Sequence, residues 1–138
     1  LGLDSFRLLG QRSDIADVLG AASLLLHAAR HEGMPNAVME AQATGIPVIA
    51  TRAGDIEEVV RHEETGLLAD VGDLSALAHG CVRLLIDDTL RQRMGAAAAG
   101  RLHRGFSIDG MARRYAALIA PTAALAGTPG SGSNGTAP

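Results

Sequence analysis

The sequence predicts an α/β fold, a Rossmann-like parallel sheet with helices on both of its faces. Short apolar runs typical of buried strands alternate with helix-like segments, as they do in successive βαβ units. Right-handed crossovers place the helices of such units on the faces of the sheet. Hydrophobic residues make up 47% of the 138 residues and aromatic residues only 2%. The core is therefore expected to be large enough for one domain and to be aliphatic.

The first part of the chain contains two predicted strands. Residues 5–10 (SFRLLG) form a short apolar segment that ends in glycine and are predicted as a strand. A helix follows, and either Ser13 or Asp14 can serve as its N-cap. The apolar face of this helix is predicted to consist of Ile15, Val18 and Leu19. Residues 23–29 (SLLLHAA) are a continuous apolar run, which is typical of a strand buried on both faces.

The middle of the chain continues the alternation of helix and strand. A helix is predicted from Pro35 in its first turn to Gly45 at its end, the usual asymmetry of proline and glycine. Residues 46–51 (IPVIAT) are predicted as another buried strand. A glycine turn and a short helix follow within residues 53–60, and residues 65–70 are predicted as a further strand.

The last third of the chain is predicted to be helical, followed by a tail. From Asp73 onward, apolar residues recur at intervals of three and four, which indicates one face of a helix. That face consists of Leu74, Leu77, Ala78, Cys81, Leu84 and Leu85. A second helix is predicted at about residues 89–102 and a third from the N-cap Ser107. Residues 1–120 are thus expected to form one N-terminally truncated domain, and residues 121–138, rich in Gly, Pro, Ser, Thr and Ala, a disordered tail.

Charge and composition argue against several classes of function. The formal net charge is −3 and no basic block occurs, so a phosphate-tracking nucleic-acid surface is not expected. No apolar run reaches the roughly 20 residues of a membrane span, and the start lacks a signal-peptide pattern. Cys81, as the single cysteine, cannot form an internal disulfide and is predicted to pack in the core. No cluster with zinc-ligand spacing occurs, so no metal is expected, and a cytoplasmic location fits the cysteine usage.

Two glutamates bracket the turn that leaves the second predicted strand. Glu32 and Glu40 have seven residues between them, and the predicted helix starts at Pro35 in that interval. Ligands of parallel sheets bind beyond the carboxyl ends of the strands, which is where this turn lies. The first turn of the helix offers free N–H groups and a partial positive charge, which suit a phosphate or diphosphate. Gly33 allows close approach of a ligand, and the predicted donors are the amides of Met34, Asn36 and Ala37.

The two carboxylates are predicted to serve different parts of such a ligand. Glu40 lies about five residues into the predicted helix, roughly 7.5 Å from its start along the axis. It shares one stripe of the helix with Asn36 and Thr44. A carboxylate at that distance from the phosphate suits a neutral diol such as a ribose. Glu32 precedes the turn and could reach a sugar hydroxyl at the other end of the ligand. By spacing alone, a solvated helix face and a surface loop explain such a pair more often than a binding site does.

The surrounding motifs narrow this choice. They are Glu32-Gly33, Pro35-Asn36, Glu40-Ala41, Gly45-Ile46-Pro47-Val48 and Thr65-Gly66-Leu67-Leu68, in this order. With them the chain closely resembles, from about Phe6 to Tyr115, the C-terminal donor-binding domain of family 4 glycosyltransferases. Members of that family are retaining enzymes with the two-domain GT-B architecture.

The resemblance implies a reaction and a role for each site residue. The reaction is transfer of a sugar, with retention, from a nucleotide diphosphate-sugar to an acceptor hydroxyl, without a metal or other cofactor. Glu40 is implied to bind the ribose hydroxyls. Glu32 is implied to contact the donor sugar and to help stabilise charge near the anomeric carbon, which makes it the catalytic candidate. Backbone amides in the turn are implied to contact the sugar and diphosphate: Gly33, Met34, Asn36, Ala37 and Val38.

The sequence also departs from the family pattern. Ala28-Ala29 replaces the usual Pro-Ser before the turn, and Gly54-Asp55 replaces a double glycine. The Arg and Lys that neutralise the diphosphate in relatives, and the domain that binds the acceptor glycan, lipid or small molecule, lie upstream of the matched region. Since the first residue is Leu1, not Met, and the chain enters almost at once into a predicted strand, the N-terminal part of a longer protein is expected to be missing. The chain alone is therefore expected to be inactive.

The sequence is consistent with two other functions, and its remaining polar residues are expected to have structural or solvent-exposed positions. A non-catalytic nucleotide-sugar-binding module or partner subunit is the main alternative function, and a nucleotide-sugar epimerase a weaker one. His27 is predicted to be a satisfied core histidine and His31 to be exposed. Arg30 and Arg52 are predicted to be solvated or structural. For the basic clusters at residues 101–105 and 112–115, a solvated face is favoured over contact with the N-terminal domain or peripheral membrane association.

Overall fold

The computed structural model describes residues 6–106 and 109–117 of the chain. The chain divides into two compact units, Leu1–His103 and Arg104–Pro138. In chain order, the elements are α1 (Ile15–Gly20), β1 (Leu25–His27), α2 (Asn36–Ala43), β2 (Val48–Thr51), α3 (Ile56–Val59), β3 (Gly66–Ala69), α4 (Leu74–Ile86) and α5 (Asp88–Gly105). Residues 109–117, in the second unit, are helical.

The first unit is built on a three-stranded parallel sheet in the order β1-β2-β3. The register pairs Leu25 with Val48 and Val48 with Gly66. All residues of the central strand β2 are buried. Parallel strands need crossover connections, which α2 and α3 supply. The predicted α/β fold with a Rossmann-like parallel sheet is confirmed.

The core lies on both faces of the sheet. On one face, α4 packs closely, since a Cβ on Gly80 would lie 2.1 Å from Ile49 Cδ1. The cluster on that face consists of Ile49, Leu67, Ala69, Leu77, Leu84, Leu90 and Met94. Side chains alternate along a strand, so Val48 and Ala50 point to the opposite face, where both are fully buried. α2 packs against β1 and β2 and buries Val38.

Two strand predictions fail at the margins of the sheet. Residues 6–10 form no strand, and the large side chains of Phe6, Leu8 and Leu9 are exposed. No neighbouring strand within the described part of the chain pairs with this segment, and a strand needs such a partner. The prediction that residues 23–29 are buried on both faces is also wrong, because β1 lies at the sheet edge and Leu26 is 49% exposed.

The helix predicted from Asp73 is confirmed, but its buried face is rotated from the predicted one. The Asp73 side chain caps α4 by accepting a hydrogen bond from Ala76 N at 2.8 Å. Leu77 and Leu84 are buried, and the free thiol of Cys81 packs half-buried against the core. Leu74, Ala78 and Leu85 are exposed instead. Gly80 is also buried on this face, directly against Ile49, and a glycine does not contribute to a hydrophobic pattern in the sequence.

Some predictions lie outside the described residues. These are the N-cap at Ser107, the end of the domain at residue 120 and the disorder of residues 121–138. Among the helices that the structure describes, none is both long and apolar enough to traverse a lipid bilayer.

Candidate functional site

The three strands end together at one edge of the sheet, and their loops are tied to one another there. β1 ends at His27, β2 at Thr51 and β3 at Ala69. The Thr51 hydroxyl donates a hydrogen bond to the carbonyl of Ala29. The amide of Arg52 donates to the carbonyl of Ala69 at 2.8 Å. The turn that begins after His27 therefore lies at the carboxyl edge, as predicted, and is anchored to the central strand.

The carboxylate of Glu32 is held by two donors. His27 Nε2 lies 2.9 Å from Glu32 Oε2, and the amide of Gly33 donates to Oε1 at 3.2 Å. The side chain of Glu32 is 26% exposed, so one part of it contacts protein and another faces solvent. His27 is half-buried and has a hydrogen-bond partner, but that partner is the predicted catalytic glutamate, not a core group.

Gly54 lies directly against the backbone of Glu32. A Cβ built on Gly54 would be 1.7 Å from the carbonyl oxygen of Glu32, and Gly54 has φ +56°. Only glycine adopts this conformation without strain and also leaves room for the neighbouring backbone. The loop after β2 thus fixes the position of the Glu32 main chain. Near Gly33, by contrast, an added Cβ would meet nothing within 4 Å, so the space over this turn is open.

The start of α2 presents backbone donors that the helix does not use. Pro35 is the N-cap, and no side chain caps the helix. The Pro35 carbonyl accepts from the amides of Val38 at 3.0 Å and Met39 at 3.1 Å. The amide of Val38 is thus occupied and its side chain is buried. Among the predicted donors, three amides find no acceptor in the part of the chain that the structure describes: Met34, Asn36 and Ala37.

Glu40 lies on the exposed side of α2 and lines a groove between α1 and α2. The groove has a volume of about 340 Å³. Its lining consists of Ser13, Ile15, Ala16, Leu19, Glu40, Ala43 and Thr44. The Glu40 carboxylate has no hydrogen bond or ion pair with any described residue. It is therefore a free acceptor on the polar side of a groove whose opposite wall is apolar.

The two arginines near the site differ in their contacts. Arg52 pairs with Glu57, and its Nε lies 3.7 Å from Asp70 Oδ1, so its guanidinium is engaged by two carboxylates. Arg30 is exposed and forms no ion pair within residues 6–106. It lines a smaller cavity of about 150 Å³ at the carboxyl edge. No group of three His, Cys, Asp or Glu side chains among the described residues is arranged to hold a metal ion.

Comparison with protein families and curated proteins gives consistent matches. Residues 1–87 match the family described as Glycosyl transferases group 1. The chain is 33% identical over 112 residues to N-acetyl-alpha-D-glucosaminyl L-malate synthase of Bacillus anthracis, covering 81% of the chain and 29% of that protein. It is 37% identical over 121 residues to D-inositol 3-phosphate glycosyltransferase of Corynebacterium efficiens, covering 86% of the chain and 28% of that protein. The chain thus spans under a third of the length of these two relatives.

Solved structures show the same fold over most of the chain. Sucrose-phosphate synthase from Thermosynechococcus elongatus superposes with a TM-score of 0.72 at 30% identity, covering 78% of this chain and 27% of that one. Anabaena HepE in complex with UDP-glucose superposes with a TM-score of 0.71 at 26% identity, covering 80% and 30%. The same protein in complex with UDP and glucose gives 0.78 at 25% identity, covering 83% and 32%.

Proposed function

The chain belongs to the group 1 glycosyltransferase family, and from this premise we propose that it is the donor-binding half of a retaining glycosyltransferase. The proposed substrate is a nucleotide diphosphate-sugar, whose sugar passes to an acceptor hydroxyl. One observation carries the proposal: an uncapped helix start at Pro35 lies between an oriented carboxylate, Glu32, and a free one in a groove, Glu40. The complexes of HepE with UDP and UDP-glucose support the choice of ligand.

In this proposal the diphosphate binds at the start of α2. The amides of Met34, Asn36 and Ala37 are free to donate to phosphate oxygens, and the helix adds a partial positive charge. When the glycosidic bond breaks, its electron pair passes to the diphosphate. Amides that are already in place stabilise this growing charge at little cost in reorganisation. We propose that these amides and cationic side chains from the rest of the enzyme act without a metal.

The nucleoside is assigned to the groove beside Glu40. The free carboxylate accepts hydrogen bonds from the ribose hydroxyls, and a carboxylate can accept several at once. The apolar wall formed by Ile15, Ala16 and Leu19 gives a flat base a surface to contact. This order places the ribose next to the diphosphate, because Glu40 follows Asn36 by one turn on the same stripe of α2.

Glu32 is assigned to the donor sugar. Its carboxylate contacts a sugar hydroxyl and helps to stabilise positive charge near the anomeric carbon. The acceptor, a glycan, lipid or small molecule, is proposed to bind through a domain that this chain does not contain. The 138-residue chain alone is therefore proposed to bind the donor without transferring the sugar.

Isothermal titration calorimetry tests the nucleotide site. UDP, GDP and the corresponding nucleotide diphosphate-sugars are titrated into the wild type and into Glu40→Ala. The control is Glu64→Ala, which alters an exposed turn residue. Loss of hydrogen bonds to a charged group costs about 1.5–3 kcal/mol, so Glu40→Ala should weaken binding by roughly 10- to 100-fold. The control should bind as the wild type does. Unchanged affinity in Glu40→Ala would refute the ribose assignment.

An activity assay separates the enzyme from a binding module. The 138-residue chain is incubated with a donor that calorimetry shows it to bind, and sugar release and transfer are measured. We expect binding without turnover. Turnover by the chain alone would contradict the proposal that the acceptor half is required.

A further inference from the structure

The last residue of β1, His27, contacts the carboxylate of Glu32 but has no role in the proposed function above. Its Nε2 lies 2.9 Å from Glu32 Oε2, while the amide of Gly33 donates to the other oxygen at 3.2 Å. Resting on the proposed function, we infer that His27 is a positioning residue that fixes the orientation of the Glu32 carboxylate toward the donor sugar.

The hydrogen-bond capacity of the Glu32 carboxylate is consistent with a positioning role for His27. An ionised carboxylate has about four lone-pair sites on its two oxygens. The contacts with His27 and Gly33 use one site on each oxygen and thereby define the plane of the group. One further site on each oxygen stays open for hydroxyl donors of a sugar. Without the imidazole, only the longer contact with the Gly33 amide would restrain the carboxylate.

The imidazole is itself held in place by the sheet. His27 pairs with Ala50 in the β1–β2 register, and its side chain is 21% exposed. The main chain of Glu32 is fixed separately by its contact with Gly54. The backbone of the glutamate is therefore set by one loop, and its side-chain direction by the end of a neighbouring strand. Loss of the His27 contact is therefore expected to weaken binding of the donor sugar and to leave binding of the nucleotide unchanged.

A matched pair of substitutions isolates the Nε2 donor. In His27→Gln, the side-chain amide reaches the position of the imidazole Nε2 and can still donate to Glu32. In His27→Asn, the shorter side chain places its amide near the position of Nδ1 and cannot reach. Both variants are polar and neutral, so their effects on folding should be similar. His103→Gln, which alters an exposed histidine of α5, serves as the control.

The readout is the ratio of two dissociation constants measured by calorimetry, that of the nucleotide diphosphate over that of its sugar conjugate. UDP with UDP-glucose and GDP with GDP-mannose are the probes, and the pair that binds is used. We expect the sugar to tighten binding in the wild type and in both His27→Gln and His103→Gln. In His27→Asn the ratio should fall roughly tenfold or to one, while the affinity for the nucleotide alone stays within about threefold.

Each other result overturns the inference in a distinguishable way. Equal losses for the nucleotide and its sugar conjugate in His27→Asn would show a merely structural histidine. An unchanged ratio in His27→Asn would show that Glu32 is oriented without it. A wild type that binds the nucleotide equally well with and without the sugar would keep the nucleotide site but remove Glu32 from the sugar. A wild type that binds neither probe would overturn the proposed function and this inference together.

Discussion

Replacement of Gly54 by alanine should destabilise the fold and displace Glu32. Two separate costs arise at this position. Alanine must adopt the left-handed conformation at φ +56°, which costs about 1–2 kcal/mol. Its Cβ would also lie 1.7 Å from the Glu32 carbonyl oxygen, whereas ordinary contact begins at 3.4 Å. Since the obstacle is backbone and not a flexible side chain, relief requires movement of a loop, at about 1–3 kcal/mol. The total is about 2–5 kcal/mol.

Urea denaturation followed by circular dichroism measures this loss in the free energy of unfolding. Gly45→Ala is the matched control, because Gly45 has φ +78° and its nearest heavy atom would lie at 3.9 Å from the new Cβ. The control carries the conformational cost alone, so Gly54→Ala should be the less stable variant by about 1–3 kcal/mol. Equal stability of the two variants would refute the claim that the loop after β2 bears on the Glu32 backbone.

Three further predictions follow from contacts outside the site. Arg83 donates to Glu63 and holds the pKa of that carboxyl below its usual value. A lowered acid pKa adds stability above the unfolded-state pKa, so the advantage of the wild type over Glu63→Gln should be present at neutral pH. It should shrink as the pH falls below about 4 and, for so exposed a pair, stay under about 1 kcal/mol in urea melts. Asp73→Ala removes the cap on the amide of Ala76 and should cost about 1 kcal/mol by the same assay; no change would rule out the cap. Burial raises the pKa of the Cys81 thiol, so its reaction with a disulfide reagent near pH 8 should be slower in the folded chain than in urea. Equal rates would contradict the packing of this side chain.

The elements that the sequence predicted correctly are those whose signals are local. The apolar run in residues 46–51 is the buried strand β2, and the proline and glycine at residues 35 and 45 mark the two ends of α2. Residues 6–10 have a similar apolar pattern but form no strand, because pairing depends on a partner elsewhere in the chain. The buried face of α4 differs from the predicted one because it includes Gly80, which lies against Ile49 but has no side chain to contribute to a hydrophobic pattern.

The same distinction applies to the site. Glu32, Glu40 and the start of α2 lie within one short segment, so their spacing and the motifs around them suffice to nominate them as candidates, a prediction that awaits the binding experiments. The contacts of Glu32 with His27 and Gly54 arise from the way a turn and a loop return to one edge of the sheet. The wall that α1 supplies opposite Glu40 likewise comes from a separate helix with no motif of its own. Proximity of this kind is set by packing, which spacing does not reveal.

The central claim is that Glu40 holds the ribose of a nucleotide whose diphosphate lies at the start of α2. A thermodynamic cycle tests it most directly: UDP and 2′,3′-dideoxy-UDP, or the GDP counterparts if those bind, are titrated into the wild type and Glu40→Ala. Loss of both hydroxyls should weaken binding to the wild type by roughly tenfold or more and should make no difference to Glu40→Ala. The same penalty in both proteins would show that the ribose binds elsewhere.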